Sequence, residues 1–187
     1  MYARKVFGKH FRLKKPRQSM NKFSATRLAI AAVIAALYVI LTLLPPFSAI
    51  SFGPIQFRIA EALCILVLFY GEAVFGVTIG CFIANVFGNG ILDMFLGTAA
   101  TFLATSLSYL VAKHIKNYKL KFVVASIFPI VINAFIVPFT ILPFTQEYGY
   151  FALLLQIFIG QTAVIYTVGA LIYYVMIKHV IHKKHIE

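Results

Sequence analysis

Gly53-Pro54-Ile55-Gln56-Phe57-Arg58-Ile59-Ala60-Glu61-Ala62-Leu63-Cys64-Ile65-Leu66-Val67-Leu68-Phe69 is apolar enough to enter a membrane, yet it carries an arginine and a glutamate three residues apart. A charge at membrane depth is costly, so intramembrane ionisable groups face a partner or a wet cavity. On an α-helix the i, i+3 spacing puts both side chains on one face, within reach of each other. The chain has only five acidic residues, and Glu61 is one of them. The Arg58/Glu61 pair is therefore the first place to look for function.

The rest of the composition agrees with a membrane setting. Of 187 residues, 61% are hydrophobic and 12% charged, with a mean hydropathy of +0.92. A soluble domain carries about 25% charged residues. With so little polar surface the chain reads as an all-α integral membrane protein. Its net charge of +12 is concentrated at a few places. Nine of the 17 Lys and Arg residues lie in residues 1–27, four more are Lys113, Lys116, Lys119 and Lys121, and three are Lys178, Lys183 and Lys184. That distribution is the positive-inside signal, with attraction to anionic lipid, and not a nucleic-acid surface. Arg58 alone lies outside these groups.

A helix needs roughly 20 apolar residues to cross the hydrocarbon. Breakers and charges delimit six candidate spans: 27–44, stopped by Pro45-Pro46; 55–70, stopped by Gly71; 72–87, stopped by Gly88-Asn89-Gly90; 91–112; 121–142, carrying Pro129 and Pro138; and 150–178. The second and third are short and are joined only by Gly71-Glu72, which suggests steep tilt or a partly re-entrant course. The first span is read as retained, because no small-residue cleavage site follows it. An even number of spans puts both termini on the cytoplasmic side with the basic 113–121 loop. The remaining connections, 47–54, 88–90 and 143–149, contain no Lys or Arg. The expected organisation is a basic cytoplasmic extension over 1–23 (disordered, with Met20 as an alternative start), a six-helix domain over 24–178 and a basic tail over 179–187.

This topology gives each polar residue a depth. Arg58, Glu61, Asn85, Asp93, Asn133, Gln156 and Gln161 come from five spans and gather in the middle or outer half, with Glu147 and Tyr148 in the last outer connection. A channel or proton wire carries polarity through the full thickness; this pattern describes a pocket open to the exterior. Each residue also has a plainer reading. On it Arg58 and Glu61 are a structural pair, Asp93 a helix cap, Asn85, Asn133 and Gln161 interhelical glue, and Glu147 a solvated loop charge. Cys64 and Cys81 read as small buried hydrophobes, with no metal-ligand spacing. Ala29, Ala32 and Ala36 form a smooth stripe on the first span, and Gly76, Gly80 and Ala84 another on the third; such stripes let helices approach closely. No P-loop, GxSxG or HExxH motif is present, so the chain is read as no enzyme, with no metal or cofactor. A polar pocket without an engine points to a binding subunit that borrows its power.

The stretch Ile50-Ser51-Phe52-Gly53-Pro54-Ile55-Gln56-Phe57-Arg58-Ile59-Ala60-Glu61-Ala62-Leu63, with Gly80-Cys81-Phe82-Ile83-Ala84-Asn85, Asp93 and Gly97-Thr98-Ala99-Ala100-Thr101, resembles the QueT family of substrate-binding S components of energy-coupling factor (ECF) transporters. The likeness covers roughly residues 24–178. It implies a six-helix bundle in the bacterial plasma membrane that captures a queuosine precursor, a 7-deazaguanine such as queuine or its aminomethyl precursor. It also implies docking on a transmembrane coupling protein with two cytosolic ATPases, through first-helix alanines at four-residue spacing. Ala32 and Ala36, or Ala31 and Ala35, match that pattern. Glu61 or Asp93 would accept the paired N–H donors of a guanine-like edge, with Asn85, Asn133 or Gln161 serving its carbonyl and ring nitrogens. Phe57 or Tyr148 would stack on the ring, and Arg58 completes the expected pocket wall. A cationic aminomethyl substituent would favour a second carboxylate. Another vitamin-like substrate, or an assembly subunit in which Arg58 and Glu61 form an internal clamp, are the alternatives. For Glu61 the preferred reading is ligand contact.

Overall fold

The computed structural model describes residues 24–52, 57–88, 90–144 and 148–186. The basic extension 1–23 and Glu147 lie outside the described residues. Among those described there is no strand. The elements are α1 (Ala25–Leu43), a 3₁₀ helix (Ile59–Leu68), α2 (Ala73–Phe87), α3 (Thr98–Ala112), α4 (Tyr118–Ile136), α5 (Tyr150–Val164) and α6 (Ala170–Ile186). A π turn, Asp93–Gly97, leads into α3, and a second, Ile165–Gly169, joins α5 to α6.

The local causes are visible in the chain. Ser24 caps α1 by accepting from the Arg27 backbone N–H, and Pro45-Pro46 follows its end, where proline cannot continue a helix. Asn117 caps α4 by accepting from the N–H groups of Lys119 and Leu120. Arg27 Nε meets Glu72 Oε1 at 3.0 Å, tying the start of α1 to the turn before α2.

Among the described residues four stretches are long and apolar enough to cross a membrane: Ala25–Leu43, Asp93–Ala112, Tyr118–Ile141 and Tyr150–His179. Ile59–Leu68 and Ala73–Phe87 are apolar but shorter. These are the second and third segments of the sequence reading, so among the described residues the count of full-length spans is four where six were expected. The second also differs in kind. It is wound as a 3₁₀ helix, and eight of its ten residues are buried. A helix that is apolar all round belongs in an interior, and this one touches all six α-helices. Ten residues at the 3₁₀ rise extend about 20 Å, against about 15 Å for an α-helix, so the winding lengthens a short segment.

Around this axis the bundle is built inside out. Val33, Leu37, Phe75, Ile79, Phe102, Leu107, Ile127, Phe135, Leu155 and Leu171 are exposed, while Ala60, Ala84, Ala100, Ala104 and Ala134 are fully buried. Alanines inside, beside a few large buried side chains such as Tyr38, Ile65 and Leu153, and large apolar residues outside are what helix packing in lipid allows. Glycine makes the closest approach. A Cβ on Gly80 would lie 2.6 Å from Tyr38 Cβ and 2.8 Å from the Ala35 carbonyl, and one on Gly76 would lie 2.7 Å from the Ala31 carbonyl. The glycine stripe of α2 is thus spent on α1. Gly80→Ala should wedge the two helices apart and cost about 1–3 kcal/mol, the usual range for overpacking. The measurement is a melting curve in detergent, and an unchanged melting temperature would show that α1 and α2 separate freely.

Candidate functional site

Arg58 and Glu61 do not pair. Arg58 precedes the 3₁₀ helix in extended backbone, with φ −85° and ψ 100°. The i, i+3 rule holds only when both residues are helical, so its side chain leaves in a different direction from that of Glu61. It forms an ion pair with Asp93 Oδ2. Its Nε lies 3.5 Å from the Ser51 carbonyl oxygen, and its guanidinium carbon is 5.5 Å from the Phe52 ring centroid. Thr140 Oγ1 donates to Asp93 Oδ1 at 3.2 Å, and Asn85 Nδ2 donates to the Asp93 backbone oxygen at 2.8 Å. Gly97 closes the π turn beneath this carboxylate, which occupies the space where a Cβ would stand. Four parts of the fold converge here: the start of the 3₁₀ helix, the end of α2, the π turn, and the short helix Pro138–Ile141 that follows α4.

Glu61 builds a second layer, about one turn further along the 3₁₀ helix. Tyr38 of α1 donates its hydroxyl to Oε1. Asn133 Nδ2 of α4 donates to Oε2 at 3.1 Å, and Cys64 Sγ lies 3.3 Å from the same oxygen. Glu61 is 1% exposed. Its three donors are neutral groups. Among the described residues the ion pairs are Arg58–Asp93 and Arg27–Glu72, so Glu61 has no cation in contact.

Several buried polar atoms have no partner: Asn133 Oδ1, Asn85 Oδ1, Gln161 Oε1, Gln156 Oε1, Thr98 Oγ1 and Ser51 Oγ among them. Unpaired polar atoms in an interior are costly. The chemistry of the contacts settles two of the amides. A carboxylate and a backbone carbonyl accept and never donate, so Asn133 and Asn85 must turn their NH₂ groups toward Glu61 and the Asp93 backbone. Their free atoms are therefore acceptors.

The expected site residues separate accordingly. Arg58, Asp93 and Asn85 form the first layer and Glu61 and Asn133 the second; Gln161 is 5% exposed on α5. Phe57 is half-buried, its N–H donating to the Ile50 carbonyl at 2.9 Å, and Tyr148 is half-buried before α5. Tyr38, Thr140 and Cys64 were missed. Tyr38 left a signal, a tyrosine deep in an alanine-rich span and far from either aromatic belt. Thr140 left none, because a threonine in a membrane helix commonly bonds its own backbone, as this one also does to the Val137 carbonyl. Of the two alanine pairs, Ala35 is buried and Ala31 half-buried against α2, while Ala32 and Ala36 are exposed with Ala29.

The family profile described as QueT transporter matches residues 28–178, a range that contains every residue of both layers. The chain belongs to the QueT transporter family. This is a family of transporters and not of enzymes, and with several apolar helices the chain is a multi-pass membrane protein. It is similar to the queuosine precursor transporter QueT of Lactococcus lactis subsp. cremoris (strain MG1363), with 40% identity over 98 residues, 52% of this chain and 58% of that protein. The matched region thus spans less than two thirds of that QueT relative. No solved structure matches the chain.

Proposed function

We propose that the chain is the substrate-binding membrane subunit of an ECF-type importer, taking up a 7-deazaguanine precursor of queuosine. The observation that carries this reading is the two-layer polar cluster, buried in an otherwise apolar bundle and left with several unpartnered acceptors, in a QueT-family chain. Arg58, Glu61, Asn85, Asp93, Asn133 and Gln161 surround the ligand, and Phe57 or Tyr148 covers its ring. The bundle crosses the bacterial plasma membrane six times, with both termini cytoplasmic. ATP hydrolysis on two cytosolic partners, coupled through a transmembrane protein, supplies the power.

Ala32 and Ala36 are the docking pair on this reading. The Ala31/Ala35 side of α1 already faces Gly76 and Gly80, whereas the Ala32/Ala36 side is open. Binding of 7-deazaguanine to the purified full chain, followed by calorimetry, tests the substrate. Uptake by cells with and without co-expressed ATPases tests the coupling. Saturable binding and ATPase-dependent uptake are expected; absence of binding, or uptake without any partner, would sink the proposal.

A further inference from the structure

Lys113, Lys116, Lys119 and Lys178 are exposed, as lysines at a basic membrane edge are expected to be, but Lys121 is only 7% exposed. It is the fourth residue of α4, one turn before Ala125, whose carbonyl accepts the Ser108 hydroxyl of α3 at 2.8 Å. Residues four apart share a helix face, so Lys121 lies in the seam between α3 and α4. A helical side chain leans toward the N-terminus of its helix, and a lysine buries its stem while keeping its head in the polar medium. The Lys121 ammonium is thus directed at the connection 113–117. Among the described residues no hydrogen bond or ion pair reaches this side chain. Lys113, on the same connection, lies 3.9 Å over the Tyr109 ring, and Lys116 is open.

The chain has little to offer these cations. Of its five acidic residues, Glu61 and Asp93 belong to the two polar layers and Glu72 is taken by Arg27. Glu147 belongs to the connection that follows α4, and Glu187 follows Lys183 and Lys184 at the last position. The neighbouring surface narrows the choice of anion. Leu107 and Leu110 form an exposed row on α3 that Lys113 and His114 continue, and Leu120 and Val123 form another at the start of α4. Cations standing at the head of exposed apolar rows match a phosphate and the acyl chains beneath it. An acidic protein surface has no use for those rows.

We infer that the seam between α3 and α4 holds an anionic phospholipid, its phosphate among Lys121, Lys116 and Lys113 and its acyl chains along the two leucine rows. Basic pockets between transmembrane helices bind acidic headgroups in this way. The general attraction of a basic edge to an acidic membrane treats every lysine alike. A built site instead singles out Lys121, whose stem is fixed between helices before the lipid arrives. The inference is independent of the substrate and of the coupling partners; the orientation proposed above places the site in the cytoplasmic leaflet.

The test uses the purified full chain in a neutral detergent with dioleoylphosphatidylglycerol, dioleoylphosphatidylcholine or inorganic phosphate added. Native mass spectrometry reads the lipid retained, and a melting curve reads the protection it gives. Phosphatidylglycerol should be retained roughly tenfold more than phosphatidylcholine, because only its charge is left for the protein to neutralise. Inorganic phosphate, which has no acyl chains, should give no protection at the same concentration. Lys121→Met keeps an apolar stem and loses the charge, so it should lower phosphatidylglycerol retention about fivefold, the weight of one lysine at an anionic surface. Lys178→Met, an exposed lysine outside the seam, should change it less than about twofold. Equal retention of the two lipids, or equal losses in the two variants, overturns the inference and returns these lysines to diffuse attraction or to an acidic partner protein. Protection by inorganic phosphate equal to that by phosphatidylglycerol overturns the choice of a lipid. The comparison of lipids on the wild type decides the matter even if Lys121→Met does not fold.

Discussion

Arg58→Met is expected to cost about 3–5 kcal/mol of stability, the loss that follows removal of one partner from a buried ion pair. The Asp93 carboxylate is fully buried, and in the variant it would keep Thr140 as a donor but lose its counter-ion. Methionine fills much of the space of the arginine stem, so the loss reports charge more than volume. Asp93→Leu should be comparably damaging, because it strands the guanidinium. The double variant Arg58→Met/Asp93→Leu should be closer to wild type than either single change, since two apolar groups replace two charges and neither is left alone. Melting curves in detergent for all four proteins give the coupling directly. Additive losses would show that the two side chains do not depend on each other.

Gly97→Ala is expected to cost about 2–4 kcal/mol, combining overpacking with partial loss of the same ion pair. A methyl here would overlap Asp93 Oδ1 and come within 3.2 Å of Asn85 Nδ2. A long, flexible side chain would swing aside, but Asp93 is short and is held by Arg58 and Thr140. The substitution should therefore push apart both the ion pair and the bond from Asn85 to the Asp93 backbone. Gly149→Ala is the control: nothing lies within 4 Å of its would-be Cβ, so its effect should stay within about 0.5 kcal/mol. Equal melting temperatures for the two alanine variants would contradict the placement of Asp93 over Gly97.

Much of the architecture was legible in the chain because membrane helices announce themselves by length, apolarity and their breakers. Pro45-Pro46 ends α1 within a residue of the expected place, and the third segment, expected over 72–87, is the helix Ala73–Phe87. The second segment was harder. Its run of apolar residues signals burial on all sides, but an α-helix and a 3₁₀ helix present the same composition when every face is buried. Pairing failed for a related reason. The i, i+3 rule assumed that Arg58 was helical, and a backbone bend one residue before the first helical position was enough to send it to a carboxylate 35 residues away. Glu61 met Asn133, 72 residues away. Such partners leave no local spacing to read. The two glycine and alanine stripes were equally visible as stripes, yet nothing local could say which would be covered.

By itself, then, the sequence determined that this is a helical membrane protein of the QueT family whose few buried charges and amides mark its working region, because the cost of placing charge in hydrocarbon makes every such residue conspicuous. Tertiary structure alone decided which charge neutralises which. Arg58 goes to Asp93, and Glu61 is held by three neutral groups, a tyrosine hydroxyl, an asparagine amide and a thiol. That outcome depends on how a central 3₁₀ helix turns its side chains toward α1, α4 and the π turn, a matter of packing geometry across the whole bundle.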